Sequence, residues 1–348
     1  MNRNERDLGI SFIRFFSMIM IVVCHMMQYL ENELAWWFNV GVQIFFIISG
    51  FLYGQKEIDN GFNWIKKRLK KILSTYYVYI IIITSVYFVF VKDLFSINQT
   101  LKNILCVQYF IGGMVGLEHL WFITFIIICY FITPILQSIY ENMLKGKNEI
   151  EFWITFIFIL ISIQFIKIIG LININIPNLS CYIIGYFISR RYFNLNYKDD
   201  NDKMKLLNFL IIFTFLSIVS NGIVIYLRYV KKVDGMEIGN LMFDYSHMLL
   251  GMSLFLIMYW GCKKINLKQC NLLNFSDKYS FEIYIVHQFY ILGLFSMMNL
   301  TSNLVLNILV IIVSIVISAY ALKYLTNIIL NIFNNIYLYR LNKINVNH

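Results

Sequence analysis

Long apolar stretches separated by short polar segments run through almost the whole chain. A helix that crosses the hydrocarbon core of a bilayer needs about 20 consecutive apolar residues. The pattern therefore predicts an all-α, polytopic membrane protein with about ten transmembrane helices, formed by a single domain over residues 1–348. The predicted spans are roughly 8–30, 36–54, 72–91, 119–140, 152–170, 178–190, 206–228, 239–261, 281–299 and 303–333.

Composition agrees with this pattern. The 348 residues are 59% hydrophobic and 14% charged, whereas a soluble domain typically has about 25% charged residues. The first apolar run is too long for a signal-peptide core and has no small-residue cleavage site, so we expect it to be retained. The six cysteines form no CxxC motif and no Cys/His metal spacing, and we interpret them as small apolar residues.

The distribution of Lys and Arg predicts the orientation. With the N-terminus in the cytoplasm, the inner segments carry 21 of these residues and the outer segments carry five. This strong positive-inside bias predicts an N-in, C-in protein, expected in the cell membrane. Topology also accounts for the formal net charge of +10, so we expect the lipid bilayer and no nucleic acid as a partner.

Two ionisable residues interrupt the first predicted span. Arg14 and His25 are eleven residues apart, which places them on nearly one helix face and about 16 Å apart along the axis. Taken singly, Arg14 could extend to the headgroups and His25 could be a satisfied core histidine. The aligned pair favours function, because ionisable side chains at membrane depth are costly. Arg14 is expected towards the cytoplasm and His25 towards the outside.

The densest basic segment, residues 66–71, precedes the third predicted span. One interpretation is a topology signal that is attracted to anionic headgroups. The other is a cytoplasmic polyphosphate site, since Arg and Lys bind phosphate through charge-assisted hydrogen bonds. Arg68 and Lys71 would share one helix face.

Further polar residues lie near the ends of later predicted spans. Glu118 and His119 open the fourth span from outside, where His119 could be a solvated loop-end residue and Trp121 an interfacial aromatic. In the ninth span, Glu282 is expected at the interface and His287 deeper.

Asp244 and His247 lie three residues apart near the outer end of the eighth predicted span. Such a pair could orient an imidazole. Solvation at the membrane interface is the preferred interpretation, because charged residues are mostly exposed.

Five short motifs, taken together and in order, resemble those of the integral-membrane acyltransferases of the type-three family, which O-acylate cell-surface polysaccharides and related acceptors. They are Arg14 with His25, Phe45–Leu52 (Phe-Phe-x-x-Ser-Gly), Arg68–Lys71, His119–Phe122 with Tyr130 and Pro134, and Tyr284–His287. The resemblance covers residues 7–335, nearly the whole chain. Lys71 stands where the family usually has Arg, so a bidentate phosphate contact becomes a point-charge contact. Ser74 stands where a proline is common.

The resemblance implies an O-acyltransferase that uses cytoplasmic acyl-CoA as a co-substrate, with acetyl as the expected group and no bound cofactor. A hydroxyl of an envelope glycan would be deprotonated and attack the thioester, and such general-base help typically contributes about 10²–10⁴-fold. No Ser or Cys lies in a recognisable nucleophile motif, so direct transfer is preferred to an acyl-enzyme. The residues this implies are His25 as base with Arg14 and His119 in catalysis, Arg68, Lys71 and Arg14 at the donor phosphates, and Trp121, Glu282 and His287 in support.

Two other classes of protein remain alternatives. A secondary transporter or flippase would also line a cavity with charges, although its expected inverted repeat is not evident in the sequence. A structural or sensory subunit of an envelope complex would use the same polar residues to join helices.

The predicted orientation can be tested with topology reporters. A reporter fused after residue 60 or residue 200 should be cytoplasmic, and one near residue 110 or residue 174 should be external. The charge bias is the physical reason. A reversed pattern at both internal loops would place the basic segment away from the acyl-CoA pool and contradict the prediction.

Overall fold

The computed structural model describes residues 7–171, 173–193, 200–231, 237–265 and 267–346. Within these ranges every regular element is helical, which confirms the all-α prediction. The α-helices of this part of the chain are α1 Leu8–Tyr29, α2 Ala35–Phe38, α3 Gly41–Gly54, α4 Gly61–Phe90, α5 Ile97–Ile104, α6 Gln108–Ile111, α7 Trp121–Ile139, α8 Glu149–Ile168, α9 Ile176–Tyr192, α10 Asp200–Ile225, α11 Glu237–Ile265, α12 Asn271–Ile291 and α13 Leu304–Val346. Single 3₁₀ turns form at Lys92–Leu94 and Glu118–Leu120, and π turns at Tyr140–Leu144 and Tyr226–Val230.

Eight helical stretches in the described ranges are long and apolar enough to cross a membrane. They are Leu8–Tyr29, Ala35–Gly54, Gly61–Phe90, Glu118–Leu144, Glu149–Ile168, Met204–Arg228, Leu241–Ile265 and Leu304–Ile336. The chain is therefore a multi-pass membrane protein. The remaining two predicted spans, 178–190 and 281–299, correspond to α9 and α12. The count of ten and the orientation stay predictions.

Two helices differ in extent from the predicted spans. The third span was predicted from residue 72, but α4 begins at Gly61, because Lys and Arg are good helix formers and continue the helix outside the apolar run. The ninth was predicted to end at residue 299, but α12 ends at Ile291. The apolar run continues past that point, whereas the backbone turns at Gly293, whose N–H donates to the Gln288 carbonyl.

The chain divides into two compact units. The first consists of Met1–Gly61 and Ile128–Asp277, and the second of Phe62–Ile127 and Lys278–His348. Helices α7 and α12 each contribute residues to both units. The predicted single acyltransferase domain over residues 1–348 stays a prediction.

In the first unit, α3 and α9 pack closely through glycines. A Cβ atom added at Gly50 would collide with the carbonyl oxygen of Tyr182, and one added at Gly185 would collide with that of Ile47. Gly54, one turn beyond Gly50, is packed against α9 in the same way. Small residues four apart allow helix backbones to approach in a membrane, where van der Waals packing replaces the hydrophobic effect.

At the end of this helix pair, the buried cation Arg190 joins three segments. Its side chain is 2% exposed, and Nη2 lies 2.9 Å from Glu57 Oε2 and 2.7 Å from Glu141 Oε1. Nη1 donates to the Lys56 carbonyl at 3.2 Å. Glu57 follows α3, and Glu141 lies in the π turn after α7. A charge this deep is tolerated because carboxylates compensate it.

The N-terminus of α1 is capped by Asp7. Asp7 Oδ1 accepts from the Gly9 N–H at 2.9 Å, which satisfies one of the unpaired donors of the first turn. Asp7 Oδ2 accepts from the Tyr259 hydroxyl and from Lys263 Nζ, each at 3.1 Å. Both partners lie on α11, so the capping residue also fixes the position of α1.

The second unit combines α4, α5, α6 and the start of α7 with most of α12 and with α13. Tyr279 on α12 stacks on Tyr320 of α13, with 5.0 Å between ring centroids. Further along the same helix pair, the Tyr290 and Ser318 hydroxyls are hydrogen-bonded at 2.5 Å.

Replacing Gly50 with alanine tests the α3–α9 contact. Gly50→Ala should lower the thermal stability of the purified protein, since overpacking typically costs about 1–3 kcal/mol and here the clash is with backbone. Gly222→Ala on α10 is the matched control, because nothing lies within 4 Å of the added Cβ. Alanine exceeds glycine in helix propensity by about 1 kcal/mol, so the control should be neutral or slightly stabilised. Equal midpoints for the two variants would contradict the packing argument.

Candidate active site

Both residues of the first predicted pair lie on α1, in the first unit. Arg14 Nη1 donates to Asp277 Oδ1 at 2.5 Å, and the Ser11 hydroxyl donates to Asp277 Oδ2 at 2.5 Å. The Arg14 and Asp277 side chains are 23% and 16% exposed, so the ion pair is partly shielded from solvent. Asp277 was missed in the sequence because it follows Arg14 by 263 residues. The available signal was a carboxylate just before the motif that contains His287.

The ion pair fixes how α1 is rotated. Arg14 and His25 are on one continuous helix, so holding Arg14 against Asp277 also sets the direction of the face that carries His25 about 16 Å further on. His25 is half-buried, and its Nδ1 atom is buried. The cation and the imidazole are therefore parts of one rigid element in the first unit.

In the second unit, two buried imidazoles lie side by side. His119 Nε2 lies 2.9 Å from the Ile285 carbonyl, and His287 Nδ1 lies 2.6 Å from the Tyr284 carbonyl. A carbonyl oxygen can only accept, so the neutral rings keep their lone pairs on His119 Nδ1 and His287 Nε2. The ring centroids are 5.1 Å apart. The solvated loop-end position considered for His119 is wrong because the residue is buried. His287 is fully buried as well, and its depth in the membrane stays a prediction.

Hydrogen bonds hold this histidine pair in place. The Tyr284 hydroxyl donates to the His119 carbonyl. The Gln288 side chain accepts from the His119 N–H at 3.2 Å and donates to Glu118 Oε2 at 2.9 Å. Gln288 was not among the predicted site residues. Its adjacency to His287 was the only sequence signal for it.

The remaining supporting residues have structural partners in the second unit. Glu282 was expected at the interface, but it is buried, and its Oε1 accepts from Lys323 Nζ on α13 at 3.0 Å. The ion pair compensates the buried charge, and the position of Glu282 at the membrane interface stays a prediction. Trp121 is half-buried and lies 5.9 Å from Tyr109 and 6.1 Å from Phe125, centroid to centroid.

Arg68 and Lys71 share α4, near its beginning. Lys71 is exposed, whereas Arg68 is half-buried with its guanidinium 5.4 Å from the centroid of Trp64. The two residues lie about one helical turn apart, as predicted. This arrangement is compatible with a phosphate site and with a topology signal.

Asp244 and His247 have separate partners in the first unit. Asp244 accepts a hydrogen bond from Asn175 Nδ2 at 2.9 Å. His247 is buried, and its ring centroid lies 3.9 Å from that of Trp36. The predicted solvation of His247 is therefore wrong, because the ring packs against Trp36 instead of water.

The fold and these side chains define a multi-pass membrane protein with buried imidazoles and compensated charges on its helices. A family model described as an acyltransferase domain matches residues 7–324, a range that includes every predicted site residue. The chain belongs to the type-three acyltransferase family, and it is a membrane O-acyltransferase. No curated protein and no solved structure is a significant match for it.

The contribution of Arg14 to acyl transfer can be separated from the contribution of its ion pair with Asp277 to stability. Arg14→Ala should lower both stability and acyl transfer, because it leaves Asp277 uncompensated. Breaking a fully buried pair costs about 3–5 kcal/mol, and this partly exposed pair should cost less. Arg14→Ala combined with Asp277→Asn should recover thermal stability while transfer stays low. If the double variant also regains wild-type transfer, the pair is structural only.

Proposed function

We propose that this membrane acyltransferase moves an acyl group, expected to be acetyl, from cytoplasmic acyl-CoA to a hydroxyl of an envelope glycan in the cell membrane. The observation that carries the proposal is on α1, where a rigid helix presents an ion-paired Arg14 and, three turns further on, His25. The predicted orientation directs Arg14 to the donor side and His25 to the acceptor side. Membership of the acyltransferase family supports the reaction class.

His25 is the proposed general base. Its ring nitrogen takes the proton of the acceptor hydroxyl while the hydroxyl oxygen forms a bond to the thioester carbonyl carbon. The carbon–sulfur bond then breaks, and the CoA thiolate takes the proton back from the imidazolium. The products are the glycan ester and free CoA, and the enzyme is regenerated. A neutral imidazole is suited to this step because its ordinary pKa lies near pH 7.

On α4, Arg68 and Lys71 are proposed to bind the nucleotide phosphates of the donor. Their positions about one turn apart allow both cations to contact one polyphosphate. The ion pair with Asp277 makes Arg14 a weaker phosphate ligand than its charge alone suggests, because a carboxylate 2.5 Å away repels an incoming anion. We therefore assign Arg14 mainly to orienting the thioester and the α1 face.

His119 is the proposed second catalytic residue. Its bond to the Ile285 carbonyl fixes the tautomer in which Nδ1 carries the lone pair. That nitrogen is suited to accept a hydrogen bond from a hydroxyl group, and Tyr284 and Gln288 hold the residue in position.

Steady-state kinetics with purified protein and acyl-CoA test these assignments. His25→Ala should lower kcat by about 10²–10⁴-fold, since general-base help is lost. Arg68→Ala should instead raise the KM for acyl-CoA by about tenfold or more with kcat little changed, because a charged hydrogen bond is worth about 1.5–3 kcal/mol in both ground and transition states. Lys66→Ala is the matched control, on the same helix but about 200° away from Arg68.

Other outcomes of these kinetics, and two further measurements, would contradict or refine the assignments. If His25→Ala keeps more than a few per cent of turnover, His25 is not the base. If Arg68→Ala leaves the KM unchanged, residues 66–71 are only a topology signal. Transport of a glycan precursor without CoA release would favour a transporter. Loss of one ester from surface glycans of cells that lack the protein would identify the acceptor and the acyl group.

A further inference from the structure

The segment between α4 and α7 was predicted to be an outer loop, but its polarity is inverted. Ile97 and Leu105 are each 69% exposed, whereas Asn103 is fully buried and Gln108 is 6% exposed. A segment that faces water buries its apolar side chains and exposes its amides. The opposite arrangement indicates surroundings that are less polar than the inside of the second unit.

The other exposed apolar side chains of α5 and α6 extend this surface. They are Leu101, Ile104, Phe110 and Ile111. The exposed polar side chain of the two helices is Asn98, in the first turn of α5. The surface continues that of α4, whose last residues Phe88, Val89 and Phe90 are also exposed. Since α4 is long and apolar enough to cross a membrane, we expect its exposed apolar side chains to contact lipid, and the similar surface of α5 and α6 suits the same surroundings.

The backbone of this segment is satisfied by protein groups. Carbonyl oxygens at the C-terminal ends of helices have no partner within the helix and need one from elsewhere, such as water or a side chain. Here, hydroxyl and amide groups of the second unit donate to them at 2.7–3.1 Å, namely Tyr76 to Asn103, Tyr77 to Ile104, Thr124 to Cys106, Tyr87 to Val115 and Gln108 to Leu120. Non-helical backbone at membrane depth requires such internal partners, because hydrocarbon offers none.

The charged side chain of Lys102 also has a hydrogen-bond partner within the segment. Lys102 lies on α5 and donates from Nζ to the Ile111 carbonyl at 3.1 Å. Its ammonium thus caps the end of α6 and joins the two short helices to each other. The exposed charges Lys92 and Asp93 lie before α5, where the headgroup region would hold them.

We propose that residues 97–111 form a re-entrant hairpin that lies in the hydrocarbon of one leaflet, with lipid acyl chains as its partner. The leaflet is the one at which α4 ends, which the charge bias predicts to be the outer one. The hairpin enters and leaves on one side and adds no span. Lipid chains fit this surface because, apart from Asn98 near the charged residues that precede α5, its exposed residues are aliphatic and aromatic, while Asn103 and Gln108 are turned inwards.

Collision measurements with spin labels test this placement. Leu105→Cys is labelled in the full-length protein with Cys270→Ser, since Cys270 is exposed and the five other cysteines are buried. The protein is placed in vesicles of phosphatidylethanolamine and phosphatidylglycerol. Collisions with oxygen, which concentrates in hydrocarbon, should exceed those with a water-soluble nickel chelate. Ile97→Cys, on an equally exposed residue, gives a second measurement if the first variant does not fold.

Two control positions give the collision preferences expected for a lipid-facing and for a water-facing residue. Ile161 is 61% exposed on α8, which is apolar enough to span a membrane, and Ile161→Cys should resemble Leu105→Cys. Lys145 has a 65% exposed side chain in the turn after α7, and Lys145→Cys should show the reverse preference. If Leu105→Cys resembles Lys145→Cys, the segment is an aqueous loop. If it is shielded from both reagents, a protein covers it. Either result overturns the proposal.

Discussion

Helices α3 and α9 can approach closely because glycines lie where their backbones come closest. Inside a bilayer, lipid chains are as apolar as the side chains they would replace, so helices associate through fit rather than through release of water. The carbonyl oxygens of Tyr182 and Ile47 occupy the space that a Cβ would take at Gly50 and Gly185. Helices α1 and α11 both pack against α3, so the position of the helix that carries His25 depends on this contact.

The same unit shows how opposite charges are paired between segments of the chain. Arg190 and Arg14 each lie against a carboxylate, and Asp7 meets Lys263. Each pair joins segments that are distant in sequence, so the electrostatic partners also restrict how the helices can rotate. An uncompensated charge would be most expensive at Arg190, whose side chain is buried. His25 therefore lies on a helix whose own cation, Arg14, is paired with Asp277.

Much of the fold could be predicted because hydropathy reports directly on helices in a membrane. Hydropathy did not predict the ends of the helices where an apolar run and a helix differ in extent. At Gly293 the backbone turns although the side chains remain apolar, and at Gly61 a helix begins among charged residues. The inverted polarity of residues 97–111 was missed because a segment with Asn, Gln and Lys between apolar residues is typical of a loop.

The site was predictable only in part for a related reason. Arg14, His25 and His119 are visible as polar residues in apolar surroundings, which requires no knowledge of contacts. Their partners Asp277 and Gln288 are not, because pairing depends on which helices meet in three dimensions. The tautomers of His119 and His287 likewise depend on carbonyl groups that the sequence does not distinguish from any others.

Each compact unit is built from two separate stretches of chain, and this affects the order of assembly during synthesis. The translocon receives α4, α5, α6 and the start of α7 long before α12 and α13 exist. Until then, the first part of the second unit has no partners for the polar groups that later contact α12, including the His119 side chain. Biogenesis of this enzyme therefore requires that a half-formed unit persist in the membrane until α12 has been synthesised.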